Sequence, residues 1–547
     1  MFQFKPPYIP DPKYATSVAY FSMEYAIEQP LKIYSGGLGY LAGSHLRSAY
    51  QLKQNMIGVG ILWKYGYYDQ IRKSDQTMDV LFLEKHYAFI QPTDIRLEIT
   101  VNHSPVIFTA YYLPPDLFGT APLFLLSTDL PENDYLAHTI CYKLYDPNSE
   151  AKIAAGILLG IGGGKLLEAI GVKPTVYHLN ESYGLPIAFY LYNQYKTKQA
   201  VQKRLVFTNH TPEQAGNQKT DSDLLDRMGY FNQIPLTEVQ AITNMRENVF
   251  DHTMACLNLS KISNGVSKMH TETLFRIYGD DPDICPITHI TNAQNAAYWM
   301  DKKQHNALLE NDDITLADRK RTLKRYLFEE VADQTGEIYH EHVFTIVWAR
   351  RFAGYKRADL LLRDMQRFDR FATNTQYPVQ ILWAGKPYPF DYDGISAFNR
   401  IENVTQQYPN CATLVGYELK LSKLLKQGAD LWLNTPRVAH EASGTSGMTA
   451  AMNGAVNLST ADGWVPEFAK HGHNAFIIPT SDLSAPEHEV DDTDADHLFD
   501  LLWNTILPLY YDRHNEWLSI VKNSMTDILP YFDSRRLAEE YYEKMYL

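Results

Sequence analysis

Short apolar stretches that end in polar residues and lead into helical patterns recur along this chain, and they constrain its fold more than any other feature. The first half has them at 16–26, 175–179 and 204–208, and the second half has them at 342–348 and 379–384. Strands that alternate with helices build parallel sheets whose faces are covered by helices. The sequence therefore predicts an α/β fold.

The alternation runs twice, which indicates more than one domain. At 547 residues the chain exceeds what a single compact core holds. A charged, helical segment at 301–340 separates the two series and is expected near a domain boundary. Ligands bind open α/β sheets beyond the carboxyl ends of the strands, so we expect a ligand in the cleft between the two halves.

Three segments depart from this alternation. Apolar and polar residues alternate over 80–127, which predicts antiparallel strands. The acidic, turn-rich segment 481–496 is expected to be a loop, and 497–546 to be terminal helices. The glycine run 160–164 lies inside a helical pattern and precedes its strand, so we do not expect it to bind a dinucleotide.

Composition narrows the class of protein. A net charge of −14 without a long basic run argues against general nucleic-acid binding. The four cysteines are scattered and form no CxxC pair, so we expect neither a structural metal nor a disulfide framework. No apolar stretch reaches about 18 residues, and the first residues lack the apolar core of a signal peptide. We expect a cytoplasmic protein without a membrane span.

The stretch 441–454 contains a turn rich in serine, threonine and glycine that opens a helix. Such a turn presents unpaired backbone N–H groups, which attract anions. Glu441 is itself negative and is expected to accept a hydrogen bond from a hydroxylated ligand beside the anion. An ordinary capped helix start is the alternative. The candidate anion-binding residues of the turn are Ser443, Gly444, Thr445 and Ser446.

A second candidate anion site follows the strand at 342–348. Arg350, Arg351, Lys356 and Arg357 place four positive charges within eight residues of an acidic chain. Cations at the end of a strand in an α/β sheet predict phosphate or diphosphate recognition. The alternative is a solvated basic face of the following helix.

The first half contributes its own candidates. Gly36 and Gly37 lie in a glycine turn between a strand and a helix, where a ligand can approach the backbone closely. His210 and Glu181 follow neighbouring strands and are candidates for binding sugar hydroxyls. A structural role for His210 is the alternative. No catalytic triad order, metal-ligand motif or Walker-type loop is present.

Eight motifs occur in order over about 450 residues, and they are 19–24, 33–39 with 41–43, 58–60, 206–212, 287–292, 349–357, 432–437 and 441–448. They resemble those of the α-glucan phosphorylases, the family of glycogen, starch and maltodextrin phosphorylases, and especially its compact bacterial and archaeal branch. The resemblance implies the GT-B fold, in which two Rossmann-like domains face one another across a cleft and a C-terminal helix crosses back. Here the domains would be 1–295 and 296–500, with terminal helices at 501–547 packing on the first.

The resemblance also implies residue roles. His210 would contact the donor sugar near its anomeric carbon, and Asn292 and Glu441 would hold sugar hydroxyls. Gly37 would lie by the reacting phosphate, and Glu181 stands where the family has Asp or Glu. The phosphate-binding positions of the family correspond to Arg350, Arg351 and Lys356.

One position departs from the family. Its members attach pyridoxal phosphate to a lysine directly after a methionine, and here Met448 is followed by Thr449. A hydroxyl cannot form an aldimine with an aldehyde, so we expect no covalently held pyridoxal phosphate. Tyr183 and Ala293 are further departures nearby, at positions where the compact branch has histidine and glycine.

Three functions remain open from the sequence. We expect first a retaining glycosyltransferase that transfers a hexose, glucose-like, from a sugar nucleotide to a carbohydrate acceptor. GT-B transferases of that kind place an arginine and a lysine five apart, as Arg351 and Lys356 are, and Thr449, eight positions after Glu441, could bind a ribose hydroxyl. The alternatives are a phosphorylase that holds pyridoxal phosphate non-covalently, and a catalytically silent protein that binds glucan or regulates a partner. A homodimer is compatible with each.

Overall fold

The computed structural model describes residues 2–212, 217–245 and 247–547. The chain forms two compact units. Unit 1 comprises Met1–Tyr68, Phe82–Asn295 and Ser534–Leu547. Unit 2 comprises Asp69–Leu81 and Ala296–Asp533.

Unit 1 is built on a ten-stranded sheet whose strands lie in the order β14-β13-β10-β9-β1-β2-β8-β7-β5, with β6 paired to β7. The pairs from β14 to β8 are parallel, and β5, β6 and β8 pair with β7 in antiparallel fashion. The antiparallel pairing predicted for 80–127 is therefore confirmed. The strands of this sheet are β1 Val18–Phe21, β2 Met56–Ile61, β5 Gln91–Pro92, β6 Leu97–Val101, β7 Ser104–Leu113, β8 Leu123–Ser127, β9 Val176–Asn180, β10 Leu205–Thr208, β13 Ile262–Gly265 and β14 Ile287–His289. Strands β11 Lys219–Asp221 and β12 Val249–Asp251 form a separate antiparallel pair.

Unit 2 is built on a six-stranded sheet in the order β17-β16-β15-β18-β19-β20, in which every pair is parallel. Strands β15, β16 and β18 are buried at every position, as expected for a parallel sheet covered on both faces. The parallel α/β architecture predicted from the sequence is present in both units. The strands of this sheet are β15 Phe344–Ala349, β16 Val379–Ala384, β17 Cys411–Leu414, β18 Leu431–Asn434, β19 Val456–Ser459 and β20 Ala475–Ile477. Strands β3 Asp69–Arg72 and β4 Met78–Leu81 form a separate antiparallel hairpin.

Helices cover the sheets of both units. The charged segment predicted to be helical at 301–340 forms α13 and α14, and the second of these helices ends at Thr335. The helices are α1 Gly37–Gln51, α2 Pro115–Phe118, α3 Tyr135–Thr139, α4 Ser149–Ile157, α5 Gly163–Ala169, α6 Pro186–Tyr195, α7 Lys198–Gln202, α8 Ser222–Met228, α9 Leu236–Thr243, α10 His252–Leu259, α11 Lys268–Tyr278, α12 Ala296–Trp299, α13 Lys302–Leu309, α14 Asp313–Thr335, α15 Met365–Ala372, α16 Tyr392–Thr405, α17 Leu419–Gly428, α18 Ser446–Ala451, α19 Val465–Phe468, α20 Glu487–Leu501, α21 Leu507–Tyr511, α22 His514–Phe532 and α23 Ser534–Tyr541.

The unit boundaries differ from the expected ones in two places. The hairpin β3–β4 belongs to unit 2, because Gln70 donates to the carbonyl of Gly385 at 2.9 Å and accepts from the N–H of Gly416 at 3.0 Å. Of the terminal helices, only α23 and the residues after it belong to unit 1, whereas α20 to α22 belong to unit 2. The hydroxyls of Ser48 and Ser534, 2.6 Å apart, join α23 to α1.

The prediction of a loop at 481–496 is wrong from Glu487 onwards, because α20 begins at that residue. The acidic residues that suggested a loop have two other functions. Glu487 and Glu489 lie in the first turn of the helix, where negative charge is favourable. Asp491 and Asp494 are buried and pair with Arg357 at 2.9 and 2.8 Å.

Across the residues that the structure describes, no helix combines the length and the apolarity that crossing a bilayer requires. The same residues include no group of three or more histidine, cysteine or acidic side chains placed to hold a metal ion.

Helix α1 packs so closely on the segment after β1 that a side chain larger than glycine does not fit at position 43. A Cβ atom there would lie 2.0 Å from the carbonyl oxygen of Ala26. Gly43→Ala should therefore lower the free energy of unfolding of unit 1 by about 3 kcal/mol, because backbone on both sides must move. Scanning calorimetry of the purified variant measures this loss.

Gly37→Ala is the matched control, since it makes the same change in the same helix. A Cβ at position 37 meets nothing within 4 Å, so this variant should differ from wild type by less than about 1 kcal/mol. Equal melting temperatures for both variants would contradict the close approach at Gly43.

Candidate functional site

Arg350 stands directly after β15 and is buried in unit 2, with 8% of its surface exposed. Its guanidinium donates to Asn434 Oδ1 and, at 3.3 Å, to Ser446 Oγ, and it lies 3.7 Å from Glu441 Oε2. Its Nε has no hydrogen-bond partner among the described residues. A buried donor without a partner is rare and costly, so this position suits an anion supplied by a ligand.

Lys356 and Glu441 complete this group. Lys356 is the last residue of a short helical turn at Gly354–Lys356 and donates to Glu441 Oε2 at 2.7 Å. Arg350 and Lys356 therefore lie close to the same carboxylate oxygen. We call this set, together with the neighbouring exposed Arg351, the Arg350 cluster, and its members are Arg350, Arg351, Lys356, Asn434, Glu441 and Ser446.

Glu441 is ionised in this setting. Burial by itself would raise the pKa of its carboxyl, but the charges of Lys356, Arg350 and Arg351 outweigh burial and hold the pKa below the ordinary value of 4.5. Arg351 is exposed and contributes to this field. The cluster thus carries three cations against one carboxylate, an excess that favours an anionic ligand.

Asp462 holds the backbone of Glu441 in place. Its Oδ2 accepts from the N–H groups of His440 at 3.2 Å and Glu441 at 2.8 Å, and its Oδ1 accepts from Gly463 at 2.8 Å. Burial, together with the charge of Glu441, raises the pKa of Asp462 to about 6 in spite of these bonds. Sequence reasoning missed this residue, because its only signal is an acid next to a glycine.

The turn at 443–446 leads from this carboxylate into α18. Ser443 is buried, and its hydroxyl donates to the carbonyl of Gly444 at 3.1 Å. Gly444 has φ of +77°, which glycine adopts without strain. Thr445 stands at the start of the helix but makes no side-chain capping bond. Of these four candidates, only Ser446 contacts Arg350 through its side chain.

Arg357 is not part of the Arg350 cluster, although it is one of the four cations that lie close together in the sequence. Its guanidinium is buried, donates to the carbonyls of Thr435 and Pro436, and pairs with Asp491 and Asp494. These contacts anchor α20 to the end of β18. Arg357 is therefore a structural residue.

In unit 1, Glu24 organises the glycine turn. Its carboxylate accepts from the N–H groups of Ser35 at 2.6 Å and Gly36 at 3.1 Å, and from the Tyr145 hydroxyl at 2.7 Å. Burial raises the pKa of Glu24 despite these bonds. The turn therefore presents Gly36 and Gly37 from a fixed backbone, and a Cβ at either glycine would meet nothing within 4 Å.

His210 is held by a chain of hydrogen bonds. Ser22 Oγ donates to the carbonyl of Glu24, Asn180 Nδ2 donates to Ser22 Oγ at 3.0 Å, and His210 Nε2 lies 2.7 Å from Asn180 Oδ1. Because the Asn180 oxygen is an acceptor, Nε2 carries the proton and Nδ1 remains an acceptor. Burial lowers the pKa of His210 to about 3, so the ring is neutral at neutral pH.

Glu181 positions the backbone of His210. One carboxylate oxygen accepts from the His210 N–H at 2.7 Å and from the Thr211 hydroxyl at 3.0 Å, and the other accepts from the Ser182 N–H at 3.1 Å. Glu181 itself has φ of +67°, which is strained for a residue other than glycine. Its contacts give it a positioning role, and they do not support the predicted contact with a sugar hydroxyl.

Asn292 follows β14 and is 95% buried. Its N–H donates to the carbonyl of Val266 at 3.0 Å. Its side-chain oxygen has no hydrogen-bond partner in the part of the chain that the structure describes. An unsatisfied acceptor suits a ligand hydroxyl, as predicted for this residue.

A family model described as Carbohydrate phosphorylase matches residues 287–482. Maltodextrin phosphorylase of Thermococcus litoralis is 32% identical over 595 residues, which cover 98% of this chain and 71% of the relative. The chain belongs to the carbohydrate phosphorylase family.

Two further relatives support this membership in the phosphorylase family. Glycogen phosphorylase of Mycobacterium tuberculosis is 28% identical over 619 residues, covering 97% of this chain and 71% of the relative. An uncharacterised protein of Methanocaldococcus jannaschii is 43% identical over 532 residues, covering 96% of this chain and 99% of the relative.

Thr449, which the resemblance places at the cofactor position of the family, does not fit a covalently held pyridoxal phosphate. Thr449 lies in α18 with no exposed surface, and its hydroxyl donates to the carbonyl of Ser446 at 3.0 Å. It offers no amine to an aldehyde. The same contact also leaves the predicted bond from Thr449 to a ribose hydroxyl without support.

Four residues that hold the predicted site residues in place were not predicted from the sequence. Asn434, Asn180, Asp462 and Glu24 each hold a predicted residue through a side chain. Asn434 and Asn180 carry a usable signal, because each is the last residue of a buried strand. Glu24 and Asp462 follow their strands β1 and β19 by three residues, where the sequence carries no comparable signal.

Removal of the Glu441 charge should destabilise unit 2. Glu441→Gln should lower its free energy of unfolding by about 3 kcal/mol at pH 7, because the buried Arg350 and the partly buried Lys356 lose their shared carboxylate. The folded-state pKa of Glu441 is below 4.5, so this contribution is present above pH 4.5 and is lost as the pH falls through the folded-state pKa. Urea denaturation at pH 7 and pH 4 measures both effects.

Lys470→Gln is the control, since it removes an exposed partner of Asp527. It should change stability by less than about 1 kcal/mol at either pH. A Glu441→Gln variant as stable as this control at pH 7 would contradict the pairing.

Proposed function

We propose that this protein transfers a hexosyl group, glucose-like, between a phosphate-bearing sugar and a carbohydrate acceptor, without a covalently held cofactor. The observation that carries the proposal is the buried guanidinium of Arg350, whose Nε lacks a partner. Arg350 lies beside the Lys356–Glu441 pair, where a phosphate group can accept from both cations.

The cluster supplies the electrostatic part of such a reaction. The bond between the anomeric carbon and the phosphate oxygen breaks, and a bond to the acceptor oxygen forms on the same face of the sugar. Arg350, Arg351 and Lys356 stabilise the negative charge that develops on the departing phosphate. The phosphate oxygen accepts the proton that the acceptor hydroxyl loses, so no nucleophile from the protein is required.

Unit 1 offers acceptors suited to sugar hydroxyls. Asn292 Oδ1 is buried and without a partner among the described residues, and His210 Nδ1 is the acceptor nitrogen of a neutral ring. Each can accept from a hydroxyl of the sugar. A ligand can approach the backbone at Gly37, because a Cβ at this position would meet nothing within 4 Å.

We propose a sugar nucleotide as the donor, because its diphosphate matches the two cations Arg351 and Lys356. A second candidate is phosphorolysis, with a sugar 1-phosphate as product. That candidate is favoured by the relatives named maltodextrin phosphorylase and glycogen phosphorylase, of which this chain covers 71% of the length. The two differ in the anion that the Arg350 cluster would bind.

One set of binding experiments separates these candidates. The purified protein is first analysed by absorbance and acid release for pyridoxal phosphate, and none is expected. Thermal shift and calorimetry then compare UDP-glucose, ADP-glucose and GDP-glucose with glucose 1-phosphate and inorganic phosphate, with and without added pyridoxal phosphate. Stabilisation by one sugar nucleotide supports the first candidate. Stabilisation by pyridoxal phosphate, with phosphate-dependent release of glucose 1-phosphate from glucan, supports the second and overturns the first.

A protein that binds glucan but none of these anions would overturn both candidates. It would instead support the third function that the sequence leaves open, that of a catalytically silent member of the family.

Substitution of Arg351 should change turnover without changing stability, because Arg351 is exposed whereas Arg350 is buried. Arg351→Ala should lower turnover by about 100-fold, since one donor to the departing phosphate is lost. Its melting temperature should stay within about 2 °C of wild type, as for other surface changes. Turnover with the donor identified above and calorimetric melting measure the two effects.

Arg363→Ala is the matched control. Arg363 is also exposed and pairs with Asp492 on the surface of unit 2. This variant makes the same change of charge and should leave turnover unchanged. Equal turnover for Arg351→Ala and wild type would remove Arg351 from the reaction.

A further inference from the structure

Unit 2 contains a cavity of about 310 Å³ that the proposed function does not use. It lies between α14, α22 and the beginnings of β15 and β18, since Lys320, Trp517, His342 and Asp430 are among its lining residues. The Arg350 cluster lies at the opposite, carboxyl ends of the same strands. A six-residue strand spans about 20 Å, so the cavity is a separate site.

Lys320 provides the cation of the cavity. Its Nζ donates to the carbonyls of Gln427 and Asn453, each at 3.0 Å. An ammonium group has three N–H donors, so two bonds to carbonyls leave one donor for a ligand. Burial lowers the pKa of Lys320 to about 7, with Lys324 adding to the effect and Asp430 opposing it. An anion in the cavity would offset this cost of burial.

The other charges that line the cavity are paired. Lys324 and Asp430 form a buried ion pair at 2.5 Å. Arg321 pairs with Asp318, and Glu341 pairs with Arg325 at 3.4 Å. Lys320, in contrast, is bonded to carbonyl oxygens. The two histidines that line the cavity, His342 and His514, are exposed. The cavity therefore has a surplus of positive charge.

Gln304 supplies an independent indication of a ligand. Its side chain lines the cavity and is 99% buried. Its Oε1 has no hydrogen-bond partner among the described residues. Buried amide oxygens are almost always satisfied by protein or by a bound molecule, so this acceptor is suited to an O–H or N–H group of a ligand.

Aromatic side chains form the remaining wall. Tyr510 and Trp517 line the cavity and stack edge to face, with their ring centroids 5.8 Å apart. Leu316 and Val521 add aliphatic surface. A largely apolar wall with a few convergent polar groups is the usual composition of a small-molecule site.

We propose that this cavity binds a small organic anion that carries a planar apolar ring. The anionic group bonds to Lys320, the ring packs against Tyr510 and Trp517, and a donor group of the ligand satisfies Gln304. A phosphate ester and a carboxylate share this chemistry, and the probes below distinguish them.

Calorimetric titration of the full-length protein tests the proposal with two ring-bearing anions, benzyl phosphate and 3-phenylpropionate. Benzyl alcohol and inorganic phosphate are the partial probes, since each lacks one half of the recognised chemistry. At least one ring-bearing anion should bind 10-fold more tightly than either partial probe, and the tighter of the two identifies the anionic group. Equal affinity for all four compounds would overturn the proposal.

Two variants assign that binding to the cavity. Ala317→Phe places a ring in the cavity without removing a polar contact and should weaken binding of the ring-bearing anion at least 10-fold. Lys320→Met should weaken it similarly while leaving the affinity for benzyl alcohol unchanged. Lys320→Met leaves two carbonyls without their donor, so if it fails to fold, Ala317→Phe decides. Unchanged affinity in Ala317→Phe would overturn the site.

The Arg351→Ala variant distinguishes binding in the cavity from binding at the Arg350 cluster. This variant, altered in the Arg350 cluster, should retain full affinity for the ring-bearing anion. Loss of binding in Arg351→Ala with retention in Ala317→Phe would mean that the probe binds the Arg350 cluster, which would overturn the cavity as its site.

Discussion

The burial of Arg350 behind β15 is the interaction on which the chemistry of unit 2 depends. A guanidinium cannot lose its proton at physiological pH, so its burial must be compensated by acceptors and by negative charge. Asn434 and Ser446 provide acceptors, and Glu441 provides the charge. All three lie within 434–446, between 84 and 96 positions after Arg350, and their contacts with Arg350 join two distant segments of the chain. The donor that remains unsatisfied is the basis for expecting a ligand anion.

Similar residues of this chain have different roles because their surroundings differ. Arg350 and Arg357 both lie just after β15 and are both buried, yet Arg357 is fully compensated by Asp491 and Asp494 and serves only to anchor a helix. Glu441 is a partly buried carboxylate and Glu181 a buried one, yet the first faces cations and the second faces backbone N–H groups. The presence of uncompensated groups, rather than residue type, distinguishes a binding position from a structural one.

Thr449 stands where the resemblance to the phosphorylases implies a lysine, and it fits into its helix without an unsatisfied polar group. The helix that carries Thr449 still begins at the residue that contacts Arg350, and the threonine hydroxyl is satisfied within one turn of that helix. The fold of this family member therefore accommodates a threonine at position 449. The reason to propose glycosyl transfer rather than a purely structural protein is the buried Arg350, whose Nε has no partner among the described residues and which lies beside Glu441.

The sequence by itself determined the α/β class, the positions of most strands and the location of Arg350, Lys356, Glu441 and His210 at strand ends, because hydrophobic periodicity and strand length are local properties. Only the tertiary structure decided which charges are compensated, since that depends on partners distant in sequence. The acidic segment predicted as a loop illustrates this limit: its carboxylates stabilise a helix by pairing with Arg357, more than 130 positions earlier. The hairpin β3–β4 joins unit 2 for the same reason, through Gln70 and the distant carbonyl of Gly385.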